Sequence, residues 1–276
     1  MCRWLAYSGG AVPIEELVFK PEHSLVDQSL SAKLTSEPTN ADGFGLGWYG
    51  RGDKPGVYRS TQPAWNDANL QDLCFEVESG LFMAHVRRST GSPVQASNCH
   101  PFRHSNWLFV HNGLLNGFEH IRRDMAMAVD ETLFAAMNGS TDSELMFLVA
   151  LSFGLQDEPI PALEKMVGFI EQLAAKRGID DAVQMTLGVA DGRTLYAVRY
   201  STRRNSRTLF HSMDVRTIHE LYGADRVAHP FPADARVVAS EPMGKLPGIW
   251  QPIEESNALI VADGEVDYRP FTPAIP

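Results

Sequence analysis

The second residue of the chain, Cys2, places a reactive thiol directly behind the initiator methionine. If Met1 is removed, Cys2 carries a thiol and a free α-amine on one residue. Thiols titrate at about pH 8.5 and α-amines at about 7.7 to 8.0, so part of the amine is unprotonated at neutral pH and can accept the thiol proton. Cys2 therefore predicts a nucleophile that supplies its own base. The competing interpretation is an ordinary small apolar residue near a chain terminus.

A second segment with chemical potential is AHVRRSTGSPVQASNCHPF, residues 84–102. Arg87 follows apolar strand residues and precedes the hydroxyls of Ser89 and Thr90, so a planar guanidinium and hydroxyl groups occur together at a strand end. Such a group can bind a carboxylate, and its alternative is a surface ion pair. The periodicity does not distinguish which of Arg87 and Arg88 points inward.

Two further segments offer hydrogen-bond donors and a carboxylate. In LFVHNGLLNG, Asn112 and Gly113 present a side-chain amide beside an unhindered backbone N–H, the donors that acyl transfer needs around a developing oxyanion. The alternative there is a hairpin turn, for which Asn-Gly is a favoured pair.

In STDSELMFLVAL, Thr141 and Glu144 match a capping box, which places Asp142 in the first turn of a helix. Asp142 is there either as an acid favoured by the helix dipole or as a binder of a substrate ammonium.

Elements of two kinds must position these residues. Short β-rich runs that end in turn residues fill the first 118 positions and predict strands over 2–9, 43–50, 56–61, 80–88 and 106–115. Apolar residues then recur at helical spacing over 120–129, 142–153 and 161–178. Strands return from residue 182, with hairpin turns at 191–192 and 263–264. This order favours an α+β fold with helices packed on antiparallel sheets.

The composition limits the classes of function. The chain has 276 residues, 44% of them hydrophobic, which is enough for one large core, and we expect a single domain over 1–276. A formal net charge of −10 argues against a general nucleic-acid binder. Three cysteines without ligand spacing indicate neither a disulfide framework nor a zinc site. No signal peptide or membrane span is legible, so we expect a soluble, cytoplasmic protein.

The segments that carry this chemistry occur together in the order of a known family. The chain resembles the class II glutamine amidotransferases, which are N-terminal-nucleophile hydrolases, and in particular their stand-alone YafJ-like and EgtC-like branch. There a cysteine follows the initiator methionine, as Cys2 does in MCRWLAYSG. The H-x-R-x-x-T strand of the family is similar to HVRRST, which implies a carboxylate-binding role for Arg87 and supporting contacts for Thr90.

Other motifs extend the resemblance over nearly the whole chain. The HNG oxyanion motif of the family is similar to residues 111–113, which implies that Asn112 and Gly113 stabilise an oxyanion. The S-x-T-D-[ST]-E helix start is similar to STDSE and implies an ammonium-binding role for Asp142. The remaining matches are the turn NCHP, the stretch NADGFGLGWY and the late strand VVASEP.

The resemblance implies a four-layer αββα sandwich of two antiparallel sheets, the fold of N-terminal-nucleophile hydrolases. It implies a hydrolase that cleaves a γ-glutamyl amide, in glutamine or in a γ-glutamyl peptide or conjugate, through a thioester on Cys2. Arg87 and Asp142 would hold the charged head group. No metal or organic cofactor is implied, and no nucleic-acid or membrane partner. The chain would act as a monomer or homodimer, with a separate protein as the user of any ammonia or the acceptor.

The sequence also departs from the pattern of the synthase-linked members. Arg88 and Gly91 stand where those relatives have a tryptophan and a histidine near the glutamine carboxylate, so the pocket is open to donors other than free glutamine. The segment NADGFG replaces another run of those relatives, which raises the question whether Arg3 supplies positive charge beside the nucleophile. Two alternatives remain at this point: a non-catalytic subunit that regulates or feeds another enzyme, and an unrelated protein in which the motifs are chance turns and caps.

Overall fold

The fold was analysed in a computed structural model, which describes residues 2–34, 39–222 and 231–276. The strands of these residues form two antiparallel sheets, one of seven and one of six strands. The strands are β1 (Arg3–Pro13), β2 (Phe44–Trp48), β3 (Gly56–Ser60), β4 (Glu78–Val86), β5 (Phe102–His104), β6 (Trp107–Leu115), β7 (Val183–Ala190), β8 (Leu195–Ser201), β9 (Phe210–Ser212), β10 (Arg236–Ala239), β11 (Trp250–Pro252), β12 (Asn257–Ala262) and β13 (Glu265–Pro270).

The helices of the described residues lie mainly in two stretches of the chain, before β4 and between β6 and β7. They are α1 (Glu15–Val18), α2 (Leu25–Ser31), α3 (Ala68–Glu76), α4 (Phe118–Met127), α5 (Glu131–Phe134), α6 (Asp142–Ser152), α7 (Pro159–Ala175) and α8 (Val215–Tyr222). Among the residues described, no helix is both long and apolar enough to cross a lipid bilayer.

The first sheet, sheet A, has the order β11-β9-β10-β1-β4-β2-β3, and sheet B has the order β13-β12-β8-β7-β6-β5. The strand that follows Cys2 therefore lies in the interior of sheet A, between β10 and β4. The strand that carries Asn112 pairs with β7 along its length, but with β5 only over its first residues, 107–109. The outer part of β6 therefore has one open edge.

Three apolar clusters define the layers. One packs α4 to α7 on sheet B and includes Phe147 and Leu163, and a second packs α1 to α3 on sheet A and includes Leu17 and Leu70. The third lies between the sheets and combines residues of both, such as Trp4 and Val110. Successive side chains of a strand point to opposite faces of the sheet, so in β1 Leu5 lies in the second cluster and its neighbour Trp4 in the third. The arrangement is the αββα sandwich expected from the resemblance.

Most predicted elements are confirmed within a few residues. The five early strands correspond to β1, β2, β3, β4 and β6, and the three helices to α4, α6 and α7. Helix α7 stops before Gly178, which has a φ of 73°, a conformation that glycine adopts without strain. Asp263 and Gly264 both have positive φ, as a two-residue hairpin turn requires.

Two early helices, α1 and α2, were not predicted from the sequence, and α2 is the longer of them. Its start is a complete capping box, in which Ser24 Oγ accepts from Asp27 N and the Asp27 carboxylate accepts from Ser24 N, both at 3.1 Å. The signal was the S-x-x-D spacing in HSLVDQSL, a weaker form of the usual S-x-x-E pattern.

Candidate active site

Cys2 lies on the face of sheet A that is turned toward sheet B. Side chains two residues apart share a face, and Trp4 is buried between the sheets. The β1–β4 register pairs Arg3 with Val86 and Trp4 with His85, and its extension places Cys2 opposite Arg87. Directly opposed residues of an antiparallel pair share a face. The thiol and the guanidinium predicted to act together are therefore neighbours on adjacent strands.

The Cys2 thiol is held by the backbone of Arg88. The Arg88 N–H points to Cys2 Sγ at 3.4 Å, and the thiol points to the Arg88 carbonyl at 3.5 Å. Burial raises the pKa of the Cys2 thiol, and the Arg88 N–H together with the nearby charges of Arg87 and Arg3 oppose that rise. The contact to the Arg88 N–H favours the thiolate, the reactive form of the group.

Arg87, and not Arg88, is the buried arginine of the pair. Its side chain is 3% exposed and leaves the end of β4, where the Arg87 N–H bonds to the Gly43 carbonyl at 2.7 Å. The guanidinium donates to Ser92 Oγ at 2.8 Å and to the carbonyls of Pro93 and Asp42 at 3.2 and 3.3 Å. These neutral partners leave the positive charge uncompensated by a carboxylate in direct contact, which suits the binding of an anionic group.

Asn112 and Gly113 lie inside β6, paired with Thr186 and Met185, so the hairpin-turn alternative for this Asn-Gly pair is wrong. Asn112 is two residues beyond Val110 of the inter-sheet cluster and points to the same space between the sheets. It is 2% exposed. Within the described residues, no hydrogen bond engages its side-chain amide, so that donor is available to a ligand.

The backbone N–H of Gly113 points to the open edge of β6. Leu115, two residues on, donates its N–H to Asp142 Oδ2 at 3.0 Å, away from β7, and N–H groups two residues apart in a strand point the same way. Glycine is required at 113 because a Cβ there would collide with the carbonyl oxygen of Gln184 in β7. The two predicted oxyanion donors thus lie at one place on one strand.

A direct contact chain ties the two sheets together at this place. Trp4 Nε1 donates to Thr186 Oγ1 at 3.1 Å, and Thr186 Oγ1 donates to the Asn112 carbonyl at 3.4 Å. Trp4 is two residues from Cys2, so the start of β1 is connected to the Asn112 position of β6 through two side chains, Trp4 and Thr186. The sequence analysis did not single out Thr186, whose only signal was a lone hydroxyl residue in an apolar strand.

Asp142 is the first residue of α6, as predicted. Its Oδ1 accepts from the Ser143 N–H at 2.7 Å, and its Oδ2 accepts from Leu115 N–H in β6. The Thr141 hydroxyl accepts from Glu144 N–H at 3.2 Å, which is one half of the predicted capping box. The other half is absent, because the Glu144 carboxylate accepts instead from the N–H groups of Asn138 and Gly139. The helix start thus places Asp142 beside the β6 segment that contains Gly113.

Thr90 and the histidines complete the set of sequence candidates. Thr90 is exposed in the loop after β4, and the described residues give it no hydrogen bond. His85 and His100, which lie near this site, are buried with ring centroids 4.2 Å apart. His85 Nε2 contacts the His111 carbonyl at 3.2 Å. No group of three or more potential metal ligands occurs in the part of the chain that the structure describes.

Two carboxylates near this site were not singled out from the sequence. Asp42, in the NADGFG segment, accepts from Ser89 N–H at 2.8 Å and thereby holds the loop that follows Arg87. Glu241, in VVASEP, binds Arg3. Both lie in segments that resemble the family as short residue strings, with no role implied for the carboxylate. Neither segment has a local pattern that reveals the distant partner of its carboxylate.

The chain is similar to proteins of a known family. A family model for class-II glutamine amidotransferases matches residues 23–270. A probable glutamine amidotransferase, DUG3 of Saccharomyces cerevisiae, is 30% identical over 98% of this chain and 84% of its own length. The gamma-glutamyl-hercynylcysteine sulfoxide hydrolase of Mycolicibacterium smegmatis is 27% identical over 98% of this chain and 100% of its own.

Solved structures extend the likeness to the fold. A glutamine aminotransferase class-II domain protein from Silicibacter pomeroyi has a TM-score of 0.73 and 30% identity, covering 98% of this chain and all of that one. The glutamine phosphoribosylpyrophosphate amidotransferase of B. subtilis, at 16% identity and a TM-score of 0.64, shares the fold over 100% of this chain and 50% of its own. By sequence, fold and the arrangement of these residues, the chain belongs to the class II glutamine amidotransferases.

Proposed function

We propose that this protein hydrolyses a γ-glutamyl amide bond through a thioester on Cys2. The observation that carries the proposal is that candidate residues of sheet A and sheet B face the same space between the sheets. Cys2 and Arg87 lie opposite each other on sheet A, and Asn112 faces them from sheet B across the Trp4–Thr186 contact. A nucleophile, a cation for a carboxylate and an oxyanion donor in one place are the parts of an acyl-transfer site.

The mechanism follows from these groups. Arg87 binds the α-carboxylate and Asp142 the α-ammonium of the γ-glutamyl group, which holds its side-chain carbonyl over the thiol. The α-amine of Cys2 takes the thiol proton, and the thiolate attacks the carbonyl carbon. Asn112 and the Gly113 N–H stabilise the oxyanion. As the C–N bond breaks, the Cys2 ammonium gives its proton to the leaving nitrogen, and water then cleaves the thioester to release glutamate and the free thiol.

The donor is proposed to be glutamine or a larger γ-glutamyl compound. Two relatives support this choice: one is named as a probable glutamine amidotransferase and the other as a hydrolase of a γ-glutamyl compound. Arg87 and Asp142 are the charged residues proposed to contact the donor, and both contact its glutamate head group. Their charges therefore select the head group and not the leaving amine. The choice among such donors is proposed to depend on the pocket near Arg88 and Gly91, where the chain departs from the synthase-linked relatives.

The test compares wild type with Cys2→Ser for glutamate release from glutamine and from a panel of γ-glutamyl peptides. We expect release by wild type and at least a roughly 10³-fold loss in the variant, because removing a nucleophile leaves little more than binding and oxyanion stabilisation. Cys74→Ser is the control, since Cys74 is buried under α3, away from this site. Equal background rates from wild type and Cys2→Ser would reject the enzyme in favour of a non-catalytic subunit.

The proposal also requires that Met1 be removed, because an amide nitrogen cannot act as the base. Intact-mass measurement of protein from its native source should show a chain that starts at Cys2. Retention of Met1 in active protein would contradict the mechanism.

A further inference from the structure

Glu241, directly after β10, is a buried carboxylate whose two oxygens accept four hydrogen bonds from distant parts of the chain. Its Oε1 accepts from Arg3 Nε at 2.7 Å and from Leu34 N–H at 3.1 Å. Its Oε2 contacts His23 Nε2 at 2.8 Å and accepts from Lys33 N–H at 2.9 Å. Glu241 itself is 0% exposed and Arg3 is 3% exposed.

Arg3 connects the Glu241 carboxylate to the backbone of Cys2. One of its terminal nitrogens, Nη1, donates to the Cys2 carbonyl at 2.8 Å, while its Nε is held by Glu241. A guanidinium with two such partners has its plane fixed, and the carbonyl it binds is fixed with it. The Cys2 carbonyl and α-amine are attached to the same Cα, so the orientation of the first also restricts the second.

The position of the pair explains why it is needed. Backbone pairing of β1 with β10 ends at Leu5 and Ala239. Beyond that point the contacts pass to Ser240, whose hydroxyl accepts from Trp4 N–H at 3.1 Å and whose N–H donates to the Trp4 carbonyl at 3.0 Å, and then to the Arg3–Glu241 pair. Without these side chains the start of β1 would be held on the β10 side only by the backbone bond from the Ser240 N–H, and weakly held strand ends fray.

The pair also sets the charge around Cys2. Arg3, on the same strand as Cys2, and Arg87, at the end of the opposite strand, place positive charge near the Cys2 thiol. Glu241, on the β10 side, opposes the charge of Arg3, and His23 from the segment before α2 lies behind it. Other charged groups of the described residues near this side include Arg88 and Asp42, on loops that flank β4, and Lys33, whose backbone N–H binds Glu241. A buried ion pair contributes little net stability, so the effect of this pair is sought in the groups that it contacts.

We propose that Glu241 is a positioning residue of the active site, which acts through Arg3 to hold the Cys2 backbone and to balance the positive charge beside the thiol and the α-amine. The role in hydrolysis rests on the function proposed above. The role in thiol reactivity does not, and it is tested separately.

The first experiment follows alkylation of Cys2 by iodoacetamide against pH in chains that lack Met1, with the modified peptide measured by mass spectrometry. In Glu241→Gln the negative charge of Glu241 is removed from beside Arg3, so the midpoint of the rate should move to lower pH by about half a unit or more. In Arg3→Met a positive charge is lost and the midpoint should move to higher pH. Ser240→Ala is the matched control, because it removes a neighbouring hydrogen bond to β1 without a change of charge, and its midpoint should stay.

The second experiment measures glutamate release. Glu241→Gln should lower kcat about 10-fold or more with KM within about 2-fold, because the substrate-binding groups are untouched while the nucleophile is misplaced. The double variant Arg3→Gln/Glu241→Gln guards against misfolding, since it leaves no unpaired buried charge. Its alkylation midpoint should lie near that of wild type, and its kcat should remain low.

These outcomes separate the two proposals. Unchanged midpoints, or shifts of the same sign in Glu241→Gln and Arg3→Met, would overturn the charge role. Wild-type kcat in the double variant would overturn the positioning role. If wild type releases no glutamate while the opposite midpoint shifts are seen, hydrolysis is rejected and the role of Glu241 in the reactivity of Cys2 stands.

Discussion

At the scale of single residues, side chains of the same type differ in burial and in their contacts. Arg87 is buried with neutral partners, whereas its neighbour Arg88 is half-buried and presents its backbone to the Cys2 thiol. Cys74 and Cys99 are both buried, and burial raises the pKa of each thiol, in Cys74 to about 12. A high pKa keeps a thiol protonated and unreactive. Burial also raises the pKa of the Cys2 thiol, but Cys2 is the one of the three cysteines that is partly exposed, and the Arg88 N–H and the charges of Arg87 and Arg3 oppose the rise.

The first prediction concerns the Asn112 amide. In Asn112→Ala, kcat for γ-glutamyl hydrolysis should fall about 10²- to 10³-fold with a smaller change in KM, because an oxyanion donor acts on charge that develops only in the transition state. Steady-state kinetics measure this. Asn106→Ala is the control: Asn106 precedes the same strand but binds the Asp191 carbonyl in a distant hairpin, so its kinetics should match wild type. A rise in KM alone would assign Asn112 to substrate binding instead.

At the scale of elements, the site depends on where strands and helices begin and end. Cys2 precedes β1, Arg87 follows β4 and Asp142 begins α6, so three of the candidate residues lie at element ends. Asn112 and Gly113 are different, because they lie within β6, where only the loss of pairing to β5 exposes an edge. The close approach of β7 to Gly113 thus contributes directly to the site.

The second prediction tests that approach. Gly113→Ala should lower the free energy of unfolding by about 1–3 kcal/mol, since the new methyl group would force β6 away from the Gln184 carbonyl. Urea unfolding measures the loss. Gly50→Ala is the matched control, because a Cβ at Gly50 meets nothing within 4 Å, and it should change the stability by about 0.5 kcal/mol or less. Equal stability of the two variants would show that β6 and β7 can separate at no cost.

At the scale of the whole molecule, the two sheets enclose a group of neutral histidines next to the site. Burial lowers the pKa of His85 to about 3, and it also lowers the pKa values of His100 and His111. Each of the three has at least one ring nitrogen without a hydrogen-bond partner among the described residues, namely His85 Nδ1, both nitrogens of His100, and His111 Nε2. Proton uptake by any of them in the folded state would therefore place an unpaired charge between or behind the sheets.

The third prediction follows from this burial. The unfolded chain binds protons at these histidines below about pH 6.5 and the folded chain does not, so the free energy of unfolding should fall as the pH is lowered from about 6.5 toward 3. Each histidine can contribute a slope of up to about 1.4 kcal/mol per pH unit. Urea unfolding at pH 8, 6.5 and 5 measures the slope. His85→Gln should reduce it, and an unchanged slope in that variant would contradict the assignment.

Much of the site could be predicted from sequence because its signals are local. Cys2 beside an apolar run predicts a strand start, and the S-T-D-S-E spacing predicts a helix that begins at Asp142. The turn chemistry of Asn-Gly was misleading on its own, because pairing with β7 overrides the local preference for a hairpin. The proposed roles of Cys2, Arg87, Thr90, Asn112, Gly113 and Asp142 remain predictions until the variants are measured.

By itself the sequence determined the family, the order of elements and the residues on which the chemistry is proposed to depend, since these rest on short motifs and on periodicities of two or three to four residues. Only the tertiary structure decided that Arg87 is buried, that Thr186 joins Trp4 to the Asn112 position, and that Glu241 holds Arg3 from 238 residues away. The physical reason is that such contacts arise from how two sheets pair and pack, and no local pattern encodes the partner across that distance.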